Sequence, residues 1–204
     1  MRDRDLVRLY WPVELRPAFD ALFDLEAALA DVVRTSTQPA LGAIRLAWWR
    51  EALERLDTSP PPAELRLQAI ANELLPRGVS GKRLAQFEDG FAALLDEDTD
   101  VERVRKGGAA LFDCAALLLG AEDPKLGEAG AIHAQARAMR LGFLASSQVE
   151  GALVGARFER ALRPLTGFAR LAARDFKQAP AMESEATPGR AAALLSHRLS
   201  GTVA

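Results

Sequence analysis

The chain has 204 residues, 49% of them apolar and 26% charged, enough to bury one sizeable core and too apolar to stay disordered. A formal net charge of −2, from 26 basic and 28 acidic residues, gives no strong field towards nucleic acid or an anionic membrane, and nucleic acid is excluded as a partner class. The single cysteine, Cys114, excludes an intramolecular disulfide, and with only His133 and His197 beside it a zinc site is not expected. The reducing cytoplasm is the expected location, with the periphery of a membrane still open to it.

Residues 1–5 are charged with no apolar stretch behind them, unlike a signal peptide. Apolar residues then recur at helical spacing almost throughout, and no run alternates with period two, so an all-α single domain is predicted. A first long helix is expected over residues 15–34, with Pro17 tolerated in its first turn. A turn at 35–39 leads to a helix at 40–56, closed by the loop Thr58-Ser59-Pro60-Pro61-Pro62.

Helices follow at 63–75 and at 80–95, the latter opened by Ser80 as N-cap. Another spans 100–119 and stops at Gly120. One long helical segment is expected over 126–172, interrupted near 151–155. Residues 1–178 then form the bundle, and 179–204 a polar tail with a short helix at 189–199. The most apolar run, 109–119, is broken by Asp113 and is too short for a membrane span. No repeat is present, and Gly107-Gly108 is not a phosphate loop.

Single residues invite chemistry and mostly decline it. Cys114 lies in an apolar run and reads as a small buried hydrophobe. His133 has no Ser or Cys nucleophile at a telling spacing. The acidic run 96–100 lacks the glycine and terminal glutamate of a calcium loop and reads as the cap of the next helix. Arg103, Arg105 and Lys106 read as a solvated helix face. Arg157, Arg160, Arg163, Arg170 and Arg174 are denser, suited to an acidic partner, to lipid headgroups, or to pairing with Glu159 and Asp175.

The most distinctive stretch is Leu41-Gly42-Ala43-Ile44-Arg45-Leu46-Ala47-Trp48-Trp49-Arg50-Glu51-Ala52-Leu53. It resembles the G-x-I-R-L-x-W-W-R-x-A-L segment of bacterial squalene/phytoene synthase-like proteins. Arg16-Pro17-Ala18-Phe19-Asp20-Ala21-Leu22-Phe23-Asp24-Leu25 resembles the helix that precedes it in that family. The resemblance covers residues 3–56; beyond 95 it rests on helix order. It implies an isoprenoid synthase-type helical bundle, shortened at the C-terminal end, around a deep apolar cavity. Two Asp-rich helix segments would face each other across the mouth and hold Mg²⁺ against a prenyl diphosphate.

Laid on this sequence, the first motif, D-D-x-x-D, falls at Ala30-Asp31-Val32-Val33-Arg34, where only Asp31 keeps its acid. Arg34 places a cation where the metal would sit, and pairing with Asp31 at i,i+3 is expected instead. The second motif falls on residues 142–150, where Gly142, Ala145 and Ser146 stand for asparagine, arginine and aspartate and only Glu150 is acidic. Ala30, Asp31, Arg34, Ser146 and Glu150 are therefore the degenerate motif positions.

Phe23, Arg45, Trp48 and Trp49 are candidate ligand-pocket residues. For Trp48 and Trp49 a core helix with Arg45 capping an aromatic is the simpler reading. The resemblance implies a non-catalytic pseudoenzyme that binds a lipid or isoprenoid, or an assembly scaffold. The same helix beside a degraded motif occurs in the family's respiratory complex I assembly factors, implying a protein partner at a membrane complex. No catalytic residue, resident metal or cofactor is assigned. The alternative is a head-to-head prenyltransferase using Mg²⁺ and farnesyl or geranylgeranyl diphosphate, alone or with a partner subunit supplying the acids.

Overall fold

Helix signals within one turn of each end account for most of the architecture. In the computed structural model, which describes residues 2–149, 151, 153 and 155–203, helices make up 69% of the chain, with no strand among the described residues. A short helix unforeseen in the sequence, α1 (Asp3–Arg8), begins where Asp5 accepts a hydrogen bond from the Arg2 backbone N–H at 2.7 Å. The long α2 (Arg16–Thr35) starts with Pro17 in its first turn, where a missing N–H costs nothing. Then come α3 (Pro39–Arg55) and α4 (Leu65–Glu73).

The predicted helix at 80–95 is two short helices, α5 (Gly81–Ala85) and α6 (Phe87–Ala92), finishing in a 3₁₀ turn. Ser80 caps α5 as expected, accepting from the Arg83 N–H at 3.3 Å. Asp57, just past α3, adds a second cap by accepting from the Gly81 and Lys82 N–H groups at 2.6 and 2.9 Å. Next is α7 (Val101–Leu119), whose N–H groups at Glu102 and Arg103 donate to Asp100. It ends at Gly120 in the left-handed conformation, φ 63°.

Helix α8 (Leu126–Arg140) stops well before the long segment predicted for 126–172. Gly142 at φ 84° is the reason: its N–H donates to the Met139 carbonyl at 3.1 Å, and the Phe143 N–H reaches back to Ala138 at 3.0 Å. This pairing satisfies two of the last carbonyls and turns the chain out of the helix. The described residues from there to 162 are irregular, apart from a 3₁₀ turn at Ser146–Gln148 and an isolated antiparallel bridge between Arg157 and Thr202. Helices α9 (Arg163–Gln178) and α10 (Pro188–Ser200) complete the chain.

Glycine sets how closely α6, α7 and α8 approach. A Cβ on Gly107 would press on Gly90 of α6, and one on Gly108 would overlap the Gly130 carbonyl of α8. The Gly107-Gly108 pair is thus a three-helix crossing point, since only a bare Cα lets the backbones come this near. Through the middle of the bundle runs a chain of rings: Trp11–Phe19 at 4.9 Å, Phe19–Phe23 at 4.5 Å and Phe23–Phe168 at 4.8 Å. Cys114 is buried, and its apolar surroundings push the thiol up to about 12.

Candidate functional site

On α2, Phe23, Glu26, Ala27, Ala30, Asp31 and Arg34 fall on one face because their spacings are three and four residues. On α8 the same spacing aligns His133, Ala136, Arg137 and Arg140. These faces meet α9, the start of α10 and the N-terminal residues around a cleft of about 490 Å³. Phe23, Phe168, Leu171 and Ala172 are among its apolar residues; its charged lining mixes Arg2, Arg4, Arg34, Arg137, Arg140 and Arg190 with Asp3, Glu26, Asp31, Asp175 and Glu185.

Glu26 lies buried at the bottom of this lining. Burial pushes its carboxyl up, but the charges of Arg137 and His133, with the hydrogen bond from His133, overcome that and hold it at about 2. Arg137 Nη1 donates to Oε2 at 3.2 Å and His133 Nε2 to Oε1 at 3.1 Å. The His133 ring packs between Phe168 at 4.9 Å and Phe112 at 5.6 Å. A histidine whose one nitrogen is tied to a buried carboxylate and whose faces are covered by rings is held in a single orientation.

A second network closes the cleft at its other end. Arg190, only 1% exposed, donates to Asp3 through Nε and Nη2, at 2.9 and 2.5 Å, and to Asp175 through Nη1 at 2.5 Å. Asp175 also accepts two N–H groups of Arg140, at 2.7 and 2.5 Å. Arg190 is pulled down by burial, and the hydrogen bonds and charges of both aspartates more than restore it, leaving it raised.

At the mouth, Arg34 Nη2 donates to Asp31 Oδ1 at 3.0 Å, the pairing expected from their i,i+3 spacing. Ala30 is buried beside them. Mg²⁺ asks for near-octahedral oxygen ligands. Here the oxygens of Glu26, Asp31, Asp175 and Asp3 are engaged by arginine, and among the described residues no three His, Cys, Asp or Glu converge. The lining does not fit a Mg²⁺–diphosphate cage.

The remaining sequence candidates lie elsewhere. Ser146 sits exposed on the 3₁₀ turn and takes no part in the cleft lining, because α8 ended six residues before it. Glu150 lies outside the described residues. The helical register assumed for residues 142–150 is therefore corrected: Gly142 is a helix stop, and His133, Arg137 and Arg140 are what α8 presents to the cleft. Those three had a signal in the sequence, polar residues at i, i+4 and i+7 on an otherwise small and apolar helix.

Of the four pocket candidates only Phe23 lines the cleft. Trp49 is buried with Leu46 and Leu53 on the inner side of α3, while Trp48 is half exposed, its ring edge-on to Trp49 at 5.3 Å. Among the described residues Arg45 caps no aromatic ring; it donates to Thr35 Oγ1 at 3.4 Å.

His197 on α10 is the centre of a further buried polar cluster. Its Nδ1–H donates to the Thr202 carbonyl at 2.9 Å, leaving Nε2 to accept from the Thr166 hydroxyl at 2.9 Å. Burial disfavours its charged form and lowers its pKa. No helix among the described residues is long and apolar enough to cross a membrane. No protein-family model, no curated protein and no solved structure matches the chain.

Proposed function

We propose that this chain is a non-catalytic relative of the squalene/phytoene synthases that works as an assembly scaffold, taking a protein partner at a membrane complex. The observation that carries the reading is the Asp31–Arg34 ion pair beside buried Ala30, at the point where the resembling family needs metal-binding acids. A guanidinium there repels a divalent cation and pairs with the remaining carboxylate. Without the metal there is neither a grip on diphosphate nor activation of it as a leaving group.

Two further features support a binding role over catalysis. The largely apolar pocket where α6, α7 and α8 meet, which opens to the surface and has Glu26 and Arg137 in its lining, holds about 30 Å³. A cavity of roughly 150 Å³ is what a single benzene molecule takes, so two prenyl chains find no room there. On the outer side of α3, Leu41, Ile44 and Trp48 make an exposed apolar stripe at i, i+3 and i+7, the kind of face a partner protein covers.

A second reading has its own observation. The cleft joins the apolar Phe23, Phe168 and Leu171 to the cationic Arg34, Arg137 and Arg140, which suits a single anionic amphiphile such as an isoprenoid or other lipid. Isothermal titration of the purified chain with Mg²⁺ and a non-hydrolysable farnesyl diphosphate analogue, beside a turnover assay with farnesyl diphosphate, separates the cases. The expected result is no turnover and no Mg²⁺-dependent heat. Turnover, or analogue binding that requires Mg²⁺, overturns the reading in favour of a prenyltransferase. Lipid found by mass spectrometry in the natively purified chain assigns the cleft to the amphiphile.

A further inference from the structure

Arginine in this protein is commonly held by a carboxylate, as at Arg8–Asp20, Arg103–Asp89 and Arg174–Glu183. One corner departs from that pattern. Arg16, Arg157, Arg160, Arg163, Arg170 and Arg198 make no ion pair among the described residues. Two are tied instead to carbonyl groups near residue 200: Arg163 to Arg198 and Leu199, and Arg170 to Val203. Carbonyl bonds fix these side chains without cancelling their charge. A net charge of −2 for the whole chain thus conceals a strongly positive corner.

The same corner carries some of the most exposed apolar side chains. A groove of about 650 Å³ between the end of α1 and the α9–α10 edge is lined by Leu9, Val13, Arg16, Arg160 and Arg198 among others, with no acid in its lining. Leu9 and Val13 are 63% and 70% exposed. Leu195 and Leu199, one turn apart on the solvent side of the helix bearing Arg198, are 53% and 73% exposed. Arg198 stacks over Tyr10 at 5.9 Å, joining the two elements. Glu14 and Glu159, the acids nearest in sequence, are exposed and lie outside the groove lining.

We propose that this corner is an interfacial surface for an anionic lipid bilayer, with Leu9, Val13, Leu195 and Leu199 entering the headgroup–acyl boundary and the arginines holding lipid phosphates. Exposed apolar side chains beside Arg16, Arg160 and Arg198, none of them in an ion pair among the described residues, match the two demands of such a boundary, apolar area below and anions at the rim. The α3 stripe of Leu41, Ile44 and Trp48 stands apart from this groove and contributes nothing to its lining. The proposal does not depend on what occupies the cleft.

The test is flotation of the full chain with phosphatidylcholine vesicles, with and without phosphatidylglycerol. Binding to the anionic vesicles that weakens with added salt is expected, with little binding to phosphatidylcholine alone. The combined variant Leu9→Ser, Val13→Ser, Leu199→Ser should lose it while its melting temperature stays unchanged, because these side chains are exposed. Arg160→Gln and Arg198→Gln should each cut partitioning about fivefold. Ile44→Ser with Trp48→Ser on α3 should leave it intact.

Absence of vesicle binding, equal binding to both vesicle types, or loss of binding in the α3 variant alone overturns the proposal. So does salt-sensitive capture of polyglutamate without vesicle binding, which would assign the corner to an acidic protein. A Mg²⁺-dependent prenyltransferase would still pass or fail this test on its own terms, so its outcome is separable from that of the proposed function.

Discussion

Glu26 and His133, 107 positions apart in the chain, meet across the cleft with Oε1 and Nε2 separated by 3.1 Å. The contact, with that of Arg137, determines how the protein responds to acid. A carboxyl held at about 2 in the fold and near its ordinary value of 4.5 when unfolded contributes stability above pH 4.5. That contribution disappears as pH falls from 4.5 towards 2, and amounts to about 3 kcal/mol. His197 acts in the same direction at higher pH: its lowered pKa means that stability is full above 6.5 and declines below it. Melting followed by circular dichroism should therefore fall in two stages between pH 7 and pH 2. Glu26→Gln should be less stable at pH 7 and should show a smaller lower stage, the remainder coming from other lowered carboxyls such as Asp89 and Glu183; parallel curves for the two proteins would exclude Glu26 as a source.

Arg190 joins the two ends of the chain through Asp3 and Asp175 with almost no contact with solvent. Arg190→Met leaves Asp3 buried without its cation and Asp175 with Arg140 alone, and should cost about 3–5 kcal/mol. Chemical denaturation measures this directly. A loss under 1 kcal/mol would mean that water replaces the guanidinium.

The Asp31–Arg34 pair gives the contrasting case. Both side chains are more than half exposed. Arg34→Ala should change unfolding free energy by about 0.5 kcal/mol or less, because solvent screens such pairs and ordering the side chains offsets the attraction. The same variant in the Mg²⁺ titration should still show no binding, since Ala30 and the engaged Glu26 leave Asp31 alone.

The helix crossing at Gly108 and Gly130 predicts opposite outcomes for two neighbouring glycines. Gly108→Val would drive a side chain into the Gly130 carbonyl and should destabilise by several kcal/mol or prevent folding. Gly127→Ala, where the nearest atom to a new Cβ is the Ala109 methyl at 3.8 Å, should stabilise by about 0.4–1 kcal/mol by restricting the unfolded chain. Thermal melts of both variants decide the matter.

Local chemistry was legible in the sequence. The all-α class, Pro17 in a first turn, the Ser80 and Asp100 caps, the Gly120 stop and the Asp31–Arg34 pair depend on residues within a turn or so of one another. Gly142 was legible in principle as a stop of the same kind, but aligning it to a helical motif concealed that. What only the tertiary structure decided is partnership over distance. Glu26 with His133, Arg190 with Asp3 at 187 positions, and the unpaired arginines gathered beside Leu9 and Val13 all follow from how the helices pack. A charge carries no record of its partner in its own neighbourhood. Which arginines are neutralised, and which stay free to meet an anion, is fixed when the chain closes on itself and burial makes an unpaired carboxylate costly.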